Sequence, residues 1–313
     1  MNVSDEESMS QSEKVSIVTP IFNGVDHTLA YLESLGQVTY PNFEVIIVDD
    51  GSTDGSAAAI AERFPRVRIL QGDGTLWWSG GTNVGIRDAL DRGTDFILTM
   101  NNDVQVAPDF LDALVSCARE NPGAIIGGKI YIMNDPERVW SAGGRLDWLS
   151  GKTLVQVGHG QLDREEFCRR EPMDFLTGMN VLVPADVFAR IGFYDAVHFP
   201  QYHADSEFTL RARKARIPIV FEPGAKVWNR VESTFMQRFL RGRRFDLAAV
   251  RELLTSFRSP MRLSCYWLLH WRYCPLVLIP WAFSLRLLRV AVFLVKIRRA
   301  SAAGGESLAK IGV

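Results

Sequence analysis

Phe43-Glu-Val-Ile-Ile-Val-Asp-Asp-Gly-Ser-Thr-Asp54 decides the architecture. Its first half is an apolar run of the kind carried by a strand buried on both faces. The run stops at two carboxylates. The Gly-Ser-Thr-Asp turn that follows offers side chains able to cap a helix over roughly 55–64. Upstream, Val15–Phe22 is a second apolar run, ended by Asn23-Gly24, and Leu29, Leu32 and Leu35 then recur at helical spacing as far as Gly36. Downstream, Val67–Leu70 reads as a third strand and Gly81–Asp91 as a helix. Asp95–Met100 is a fourth strand that halts at Asn101-Asn102-Asp103, and Pro108 opens a helix to about Glu120. Strand, loop, helix and strand in this alternation predict an α/β chain, Rossmann-like, with a mainly parallel sheet covered by helices on both faces. Ligands bind such sheets outside the carboxyl ends of the strands. Asn23, Asp49-Asp50 and Asn102-Asp103 are therefore predicted to open onto one rim.

The pattern changes near residue 124. Ala124–Ile132 reads as a strand, 134–172 as a glycine-containing loop region, and Asp174–Val183 as strand-like. Short helices follow at Pro184–Ile191 and Ser206–Ala215, with Ile219–Phe221 and Ala225–Trp228 as closing strands. No linker-like tract divides this part from the first, so 14–235 reads as one catalytic unit. There is no internal repeat of fixed period.

The 313 residues carry a net charge of −1 and are 47% hydrophobic, a globular composition that excludes disorder, collagen-like repeats and coiled coil. That small net charge hides an asymmetry. Residues 1–235 hold 21 basic and 33 acidic side chains, whereas 236–300 hold 13 basic and 2 acidic. The same basic part contains the most apolar run, Pro275–Val295. Cationic and apolar together point to a membrane surface before nucleic acid, and the acidic first part would repel phosphate backbones. Cys117, Cys168, Cys265 and Cys274 show neither CxxC nor a His partner at metal-ligand spacing, which argues against zinc or a disulfide framework and for a reducing compartment. The polar, acidic start reads as a disordered tail over 1–13 rather than a signal peptide, and 301–313 as a second tail.

Three acidic clusters can carry chemistry. Asp49–Asp54 is either a polar strand-to-helix turn or a carboxylate pair that accepts from a base or ribose. Asn101-Asn102-Asp103 is either a cap or a hard-oxygen ligand for a divalent cation that shares a diphosphate's oxygens. In His203-Ala204-Asp205-Ser206-Glu207, Asp205 is either a helix cap or a general base that lifts a proton from a hydroxyl. His203 has no second His at ligand spacing and reads as a pocket wall or supporting donor. The Gln71–Gly85 stretch holds five glycines and the adjacent pair Trp77-Trp78 just before a helix. A glycine-rich helix start can present backbone N–H groups to an anion. It matches neither GxGxxG after the first strand nor a P-loop. The two tryptophans read equally well as core or as a carbohydrate-facing surface.

Taken in order, Val15–Gly24, Phe43–Asp54, Leu76-Trp-Trp-Ser-Gly-Gly-Thr-Asn-Val-Gly85, Asn101–Asp103, Phe175-Leu-Thr-Gly-Met-Asn180 and Tyr202–Lys214 resemble glycosyltransferase family 2, the inverting GT-A enzymes, and especially its bacterial rhamnosyltransferase-like branch. The likeness covers about 15–235. It implies a GT-A fold with a basic helical extension, a nucleotide-sugar donor, and a glycan or lipid-linked acceptor. It further implies that Pro20, Phe22 and Asn23 line the nucleotide pocket, that Asp50 accepts from the base, and that Gly80, Gly81 and Asn83 lie along the nucleotide. Asn102-Asp103 would stand at the DxD-type motif with Asp103 holding a divalent metal, Mn or Mg, and Asp205 would be the catalytic base. Two departures bear on the metal: the motif is Asn-Asn-Asp, and Asn229 stands where many members have a metal-contacting His. Metal is expected to be weakly held. A UDP donor of galactofuranose or N-acetylglucosamine, and a non-catalytic sugar-nucleotide-binding module, are the competing readings.

Pro275–Val295 is long enough to span a bilayer. Arg286 and Arg289 in mid-run and Pro280 argue instead for an interfacial amphipathic helix with Arg286, Arg289 and Lys296 on its polar stripe. Packing on protein or on a second subunit of a homodimer stays open. The resulting expectation is a cytoplasmic enzyme, peripheral at the inner face of the cell membrane through residues 270–300.

Overall fold

The structure is a computed structural model that describes residues 12–231, 239 and 246–302. Both proposed tails beyond those limits, and part of the basic stretch after 236, lie outside the described residues. The chain forms two compact units. One holds residues 12–144, Gln156–Pro200 and Ala204–Arg230; the other holds Arg145–Val155, Gln201–His203 and the described residues beyond 230.

The first unit is built on β1 (Val15–Ile21), α1 (Val25–Leu35), β2 (Phe43–Asp49), α2 (Ser56–Arg63), β3 (Arg68–Gln71), α3 (Trp77–Asp91) and β4 (Phe96–Thr99). The strands pair in parallel in the order β4-β1-β2-β3. Val45–Asp49 is wholly buried, as a two-faced strand requires. A short strand not anticipated from the sequence, β5 (Val104–Val106), follows, then α4 (Phe110–Glu120) and β6 (Ile125–Ile132). Val15, Ile17, Ile47, Leu98, Phe110 and Leu182 lie in the main core.

The expected mainly parallel sheet is present, and three details are added or changed. First, one inner strand of it is reversed. β11 (Val181–Pro184) enters antiparallel between β4 and β6, so two parallel blocks flank a reversed strand. The strand-like Asp174–Val183 shortens to β11 because the preceding residues turn through Asn180, whose φ is 61°. Second, the two closing strands are one, β12 (Ile219–Asn229). It pairs in parallel with β6, and a register shift between Glu222 and Lys226 absorbs the Pro-Gly interruption that made it read as two. Third, 134–172 is not simply loop. It holds β7 (Asp135–Ser141) on β6, β8 (Gly144–Asp147) paired with β9 (Thr153–Gln156), and β10 (Glu171–Pro172) on β12. β8, β9 and β10 are too short for periodicity to show, and β7 opens with the polar and Pro residues of Asp135-Pro-Glu-Arg138. The helices α5 (Ala185–Ile191) and α6 (Ala204–Lys214) complete the unit.

The second unit contains α7 (Leu247–Thr255), α8 (Leu263–Tyr273) and α9 (Ile279–Ala302). Asp246 caps α7 by accepting from the Ala249 N–H at 2.8 Å. On α9, Ile279, Ala282, Val290 and Ile297 turn inward at helical spacing. Arg286 falls on that same inward face. Its guanidinium lies 3.6 Å from the Tyr266 ring centroid, and Arg289 donates from Nε to Ser150 O at 2.8 Å. Arg286 therefore leaves the expected polar stripe for the protein side, whereas Arg289 and Lys296 stay exposed. Trp281 (58% exposed), Leu288 (60%), Val292 and Val295 occupy the outward face. Among the described residues, Leu276–Arg299 is long and apolar enough to cross a membrane.

Candidate active site

The loops after β1 and β2 are latched to each other. Asn23 takes a left-handed φ of 60°, donates its backbone N–H to Ser52 Oγ at 2.8 Å, and accepts the Thr53 N–H at 2.8 Å. Asp54 accepts from the Val25 N–H at 2.9 Å and the Ser56 N–H at 3.1 Å. Burial pushes its carboxyl up, but the Ser56 and backbone donors outweigh that and hold it below the usual range. Phe22, 63% exposed, stands free at the strand end.

Asp49 and Asp50 divide their work. Asp49 closes the turn by accepting the Ser52 N–H at 2.8 Å. Asp50, nearly buried, accepts the Gly74 N–H on Oδ1 and the Trp77 N–H on Oδ2, both at 2.9 Å, and so fastens the 72–77 loop to the end of β2. A carboxylate has about four acceptor directions, so each Asp50 oxygen keeps capacity for another donor.

The glycine-rich stretch differs from its anion-binding expectation. The helix α3 already begins at Trp77, so Gly80, Gly81 and Gly85 lie inside it. A Cβ on Gly81 would meet Pro20 at 2.9 Å, and one on Gly85 would collide with Val18. These two glycines bring α3 down onto β1. Asn83 is likewise redirected. Its Nδ2 donates to Tyr194 O at 2.9 Å and its Oδ1 accepts the Tyr194 N–H at 3.0 Å, so both ends of the buried amide tie α3 to the 192–200 loop. In the structure Gly81 and Asn83 serve to seat α3.

Trp78 joins the carboxylate-bearing loops. Its Nε1 donates to Asn101 Oδ1 at 2.9 Å, two residues before Asp103. Its ring also faces Gly178, where a Cβ would lie 2.8 Å from the indole and 3.0 Å from Asp205 Cβ. The Gly178 N–H donates to Asp205 Oδ2 at 2.6 Å, and Asp205 Oδ1 accepts the Ser206 N–H at 2.7 Å at the start of α6. Tyr194 meets Trp78 edge-on at 5.3 Å and stacks on Phe208 at 4.6 Å. Burial raises its phenol well above the usual range; the Thr99 hydrogen bond offsets part of this and the Asp205 charge adds to it. Asn101, Gly178 and Tyr194 had no assigned role in the sequence reading. The signal for Asn101 and Gly178 was membership of the Asn-Asn-Asp and Phe175–Asn180 motifs; Tyr194, in neither, carried none.

The flanking residues make further ties between loops. Asn102 donates its amide to Thr28 Oγ1 at 2.9 Å, which ties the motif to α1. Asp103 O accepts the Arg230 N–H at 3.0 Å, and the buried Asn229 accepts the Met133 N–H through its backbone carbonyl at 2.9 Å. Buried Glu207 pairs with Arg211 at 2.9 Å, and Arg211 also donates to Phe193 O and Ile191 O, which fixes α6. In the second unit, His203 (φ 68°) has Nε2 2.7 Å from Pro260 O and its ring edge-on to Tyr266.

Among the described residues no three His, Cys, Asp or Glu side chains gather as a metal cluster. With Asn101 and Asn102 engaged, Asp103 is the carboxylate at this corner. That donor set fits a hard cation whose remaining oxygens come from a bound diphosphate.

The mixed α/β sheet with amide and carboxylate side chains at its strand ends has the GT-A fold. Solved structures show the same fold. One of GalNAc-T7 with UDP, GalNAc and Mn2+ superposes with a TM-score of 0.57 at 14% identity over 69% of this chain and 43% of that one, so the chain spans under half of its length. A mannosyltransferase from Pyrobaculum calidifontis in complex with GDP-Man and Mn2+ gives 0.53 at 17% identity over 96% and 79%. The family described as Glycosyl transferase family 2 matches residues 16–192, and the chain belongs to it. It is a glycosyltransferase. It is also similar, at 26% identity over 69% of this chain and 76% of the relative, to N-acetylglucosaminyl-diphospho-decaprenol L-rhamnosyltransferase of Mycobacterium tuberculosis (strain ATCC 25618 / H37Rv).

Proposed function

We propose that the enzyme moves a sugar, rhamnose-like by preference, from a nucleotide-diphosphate donor to a hydroxyl of a glycan or lipid-linked acceptor in bacterial surface polysaccharide synthesis. Transfer is a single displacement with inversion. The observation that carries this reading is Trp78, which hydrogen-bonds Asn101 beside Asp103 and packs on the glycine that holds Asp205. The name of the mycobacterial relative supports rhamnose and a polyprenyl-diphosphate acceptor.

Asp205 acts as the base. The Gly178 and Ser206 N–H groups, one on each oxygen, fix the plane of the carboxylate and leave acceptor directions for the incoming hydroxyl. Asp103 would hold a divalent cation, Mn or Mg, which when bound neutralises the charge developing on the departing diphosphate. Pro20, Phe22 and Asn23 line the nucleotide side, Gly80 borders it, and Asp50 offers its remaining acceptor capacity to the base. Gly81 and Asn83 support the site by seating α3.

The enzyme works at the inner face of the cell membrane. The outward apolar face of α9, with the exposed Trp267 and Trp271 of α8, supplies an interfacial surface, and the basic composition of 236–300 suits anionic headgroups. A panel of dTDP-, UDP- and GDP-sugars, read as nucleoside diphosphate release with and without Mn or Mg, tests the donor assignment. Release from dTDP-rhamnose above all others is expected, and release from none would defeat it.

A further inference from the structure

One face of the β6–β12 ladder bears chemistry that the donor side does not use. Tyr131 and Trp228 sit opposite each other in register, and their rings stack with centroids 5.8 Å apart and planes 18° from parallel. Lys226 lies two residues back on β12 and so shares the face of Trp228. Together with Glu137, Leu162 and Asp163 they line a cavity of about 400 Å3, within the size range of small-molecule sites.

The Asp163 wall of this cavity is built with unusual care. Lys129, 1% exposed, directs Nζ to Asp163 Oδ1 at 3.0 Å and Oδ2 at 3.1 Å, and the Tyr131 hydroxyl donates to Oδ2 at 2.6 Å. Burying an ammonium is expensive, and an apolar side chain of similar volume would serve stability as well. What the pair supplies is a carboxylate held in one orientation with a quarter of its surface open. Burial pushes the Asp163 carboxyl up, but Tyr131 and Lys129 together hold it below the usual range, so at neutral pH it only accepts hydrogen bonds.

An aromatic wall beside fixed hydrogen-bond acceptors and one ammonium suits a pyranose, which offers an apolar C–H face and a rim of hydroxyl donors. It does not suit a diphosphate, because the carboxylates of Asp163 and Glu137 outnumber Lys226, the one ammonium that lines the cavity with them. The cavity also adjoins the reaction loop along the chain. Trp228 is followed by Asn229 and Arg230, and the Arg230 N–H holds Asp103 O.

We propose that this cavity is a subsite for an uncharged pyranose unit of the acceptor glycan, separate from the donor site. The acceptor role rests on the transferase reading above; sugar binding itself does not. The test is saturation-transfer NMR on the full chain without nucleotide, using methyl β-glucoside, methyl N-acetyl-β-glucosaminide and methyl α-L-rhamnoside as probes. Saturation of ring C–H protons of at least one probe is expected. Trp228→Ala should weaken it about tenfold, the loss of one stacking face. Glu137→Gln, at an exposed position whose substitution leaves the fold intact, should weaken it about threefold through one lost acceptor. Added dTDP or UDP should leave the signal unchanged. Absence of saturation by all three probes, equal signals in both variants, or displacement by nucleotide would overturn the subsite. Saturation that persists while every donor fails would uphold the sugar site and remove only the transfer reading.

Discussion

The two units treat apolar surface in opposite ways. In the α/β unit the large apolar side chains close on themselves, and among the described residues the exposed exceptions are Phe22, Leu162 and Val197. In the helical unit Trp267, Trp271, Leu276, Val277, Trp281 and Leu288 face outward, while Arg286 turns in against Tyr266. A contiguous exposed apolar face of this kind marks an interaction surface. One unit buries its large apolar side chains and carries polar groups at its strand ends. The other leaves large apolar side chains outward, the observation on which the membrane proposal rests.

The sharpest way to separate the units is to disable the chemistry of one alone. Asp205→Asn should lower transfer about 10²–10⁴-fold, the range for loss of a general base, while calorimetry finds nucleoside diphosphate affinity nearly unchanged. Full retained turnover would remove Asp205 from its role. The converse experiment charges the outward face of the helical unit. Leu288→Asp with Val292→Asp should shift the protein from vesicle-bound to free in flotation with anionic liposomes, each charge costing about 2–3 kcal/mol at depth. Turnover on a water-soluble acceptor should persist. If the unmodified protein does not float at low salt, the membrane reading fails.

Two smaller effects sharpen the contrast. Gly178→Ala places a methyl against Trp78 and Asp205, an overpacking worth about 1–3 kcal/mol. It should reduce kcat more than thermal stability, because the displaced group is the N–H that holds Asp205; equal losses would make Gly178 merely structural. The smallest effect concerns His270 in the helical unit. Burial first, and the Arg286 charge with it, depress its pKa below the ordinary 6.5, against the opposing bond to Tyr266 O. The unfolded chain therefore binds the proton more readily. The associated stability is fully present above pH 6.5 and declines as pH falls below it. Thermal melts from pH 7.5 to 5.5 should show this decline, and His270→Gln should flatten it. An unchanged slope in the variant would reject the assignment.

Much of the candidate site's position at the strand ends was legible in the sequence because its parts are local. Asn23-Gly24 and Asp49–Asp54 are turn-forming strings, and their placement after apolar runs marks the rim whatever the rest of the chain does. Asp205 at a helix start could be named from the family motif. The glycines of α3 were ambiguous, because glycine near a helix start serves an anion or a close-packed strand equally well, and only the structure shows the nearness of Pro20 and Val18. Asn83 was ambiguous for the same reason: an amide has no preferred partner until Tyr194 is beside it. On α9 only Arg286 departed from its expected place. An arginine reads as solvent-facing unless an aromatic ring such as Tyr266 waits on the inner side.

Apolar periodicity, turn residues and the order of motifs by themselves determined the alternating strands and helices, the acidic strand ends and the family, since these depend on neighbours a few positions apart. Only the tertiary structure decided that β11 runs backwards between two parallel blocks, that Trp78 ties Asn101 to the glycine beside Asp205, and which side of α9 turns inward. Those outcomes depend on surfaces brought together from distant parts of the chain, where shape and hydrogen-bond geometry choose among partners that local pattern leaves equivalent.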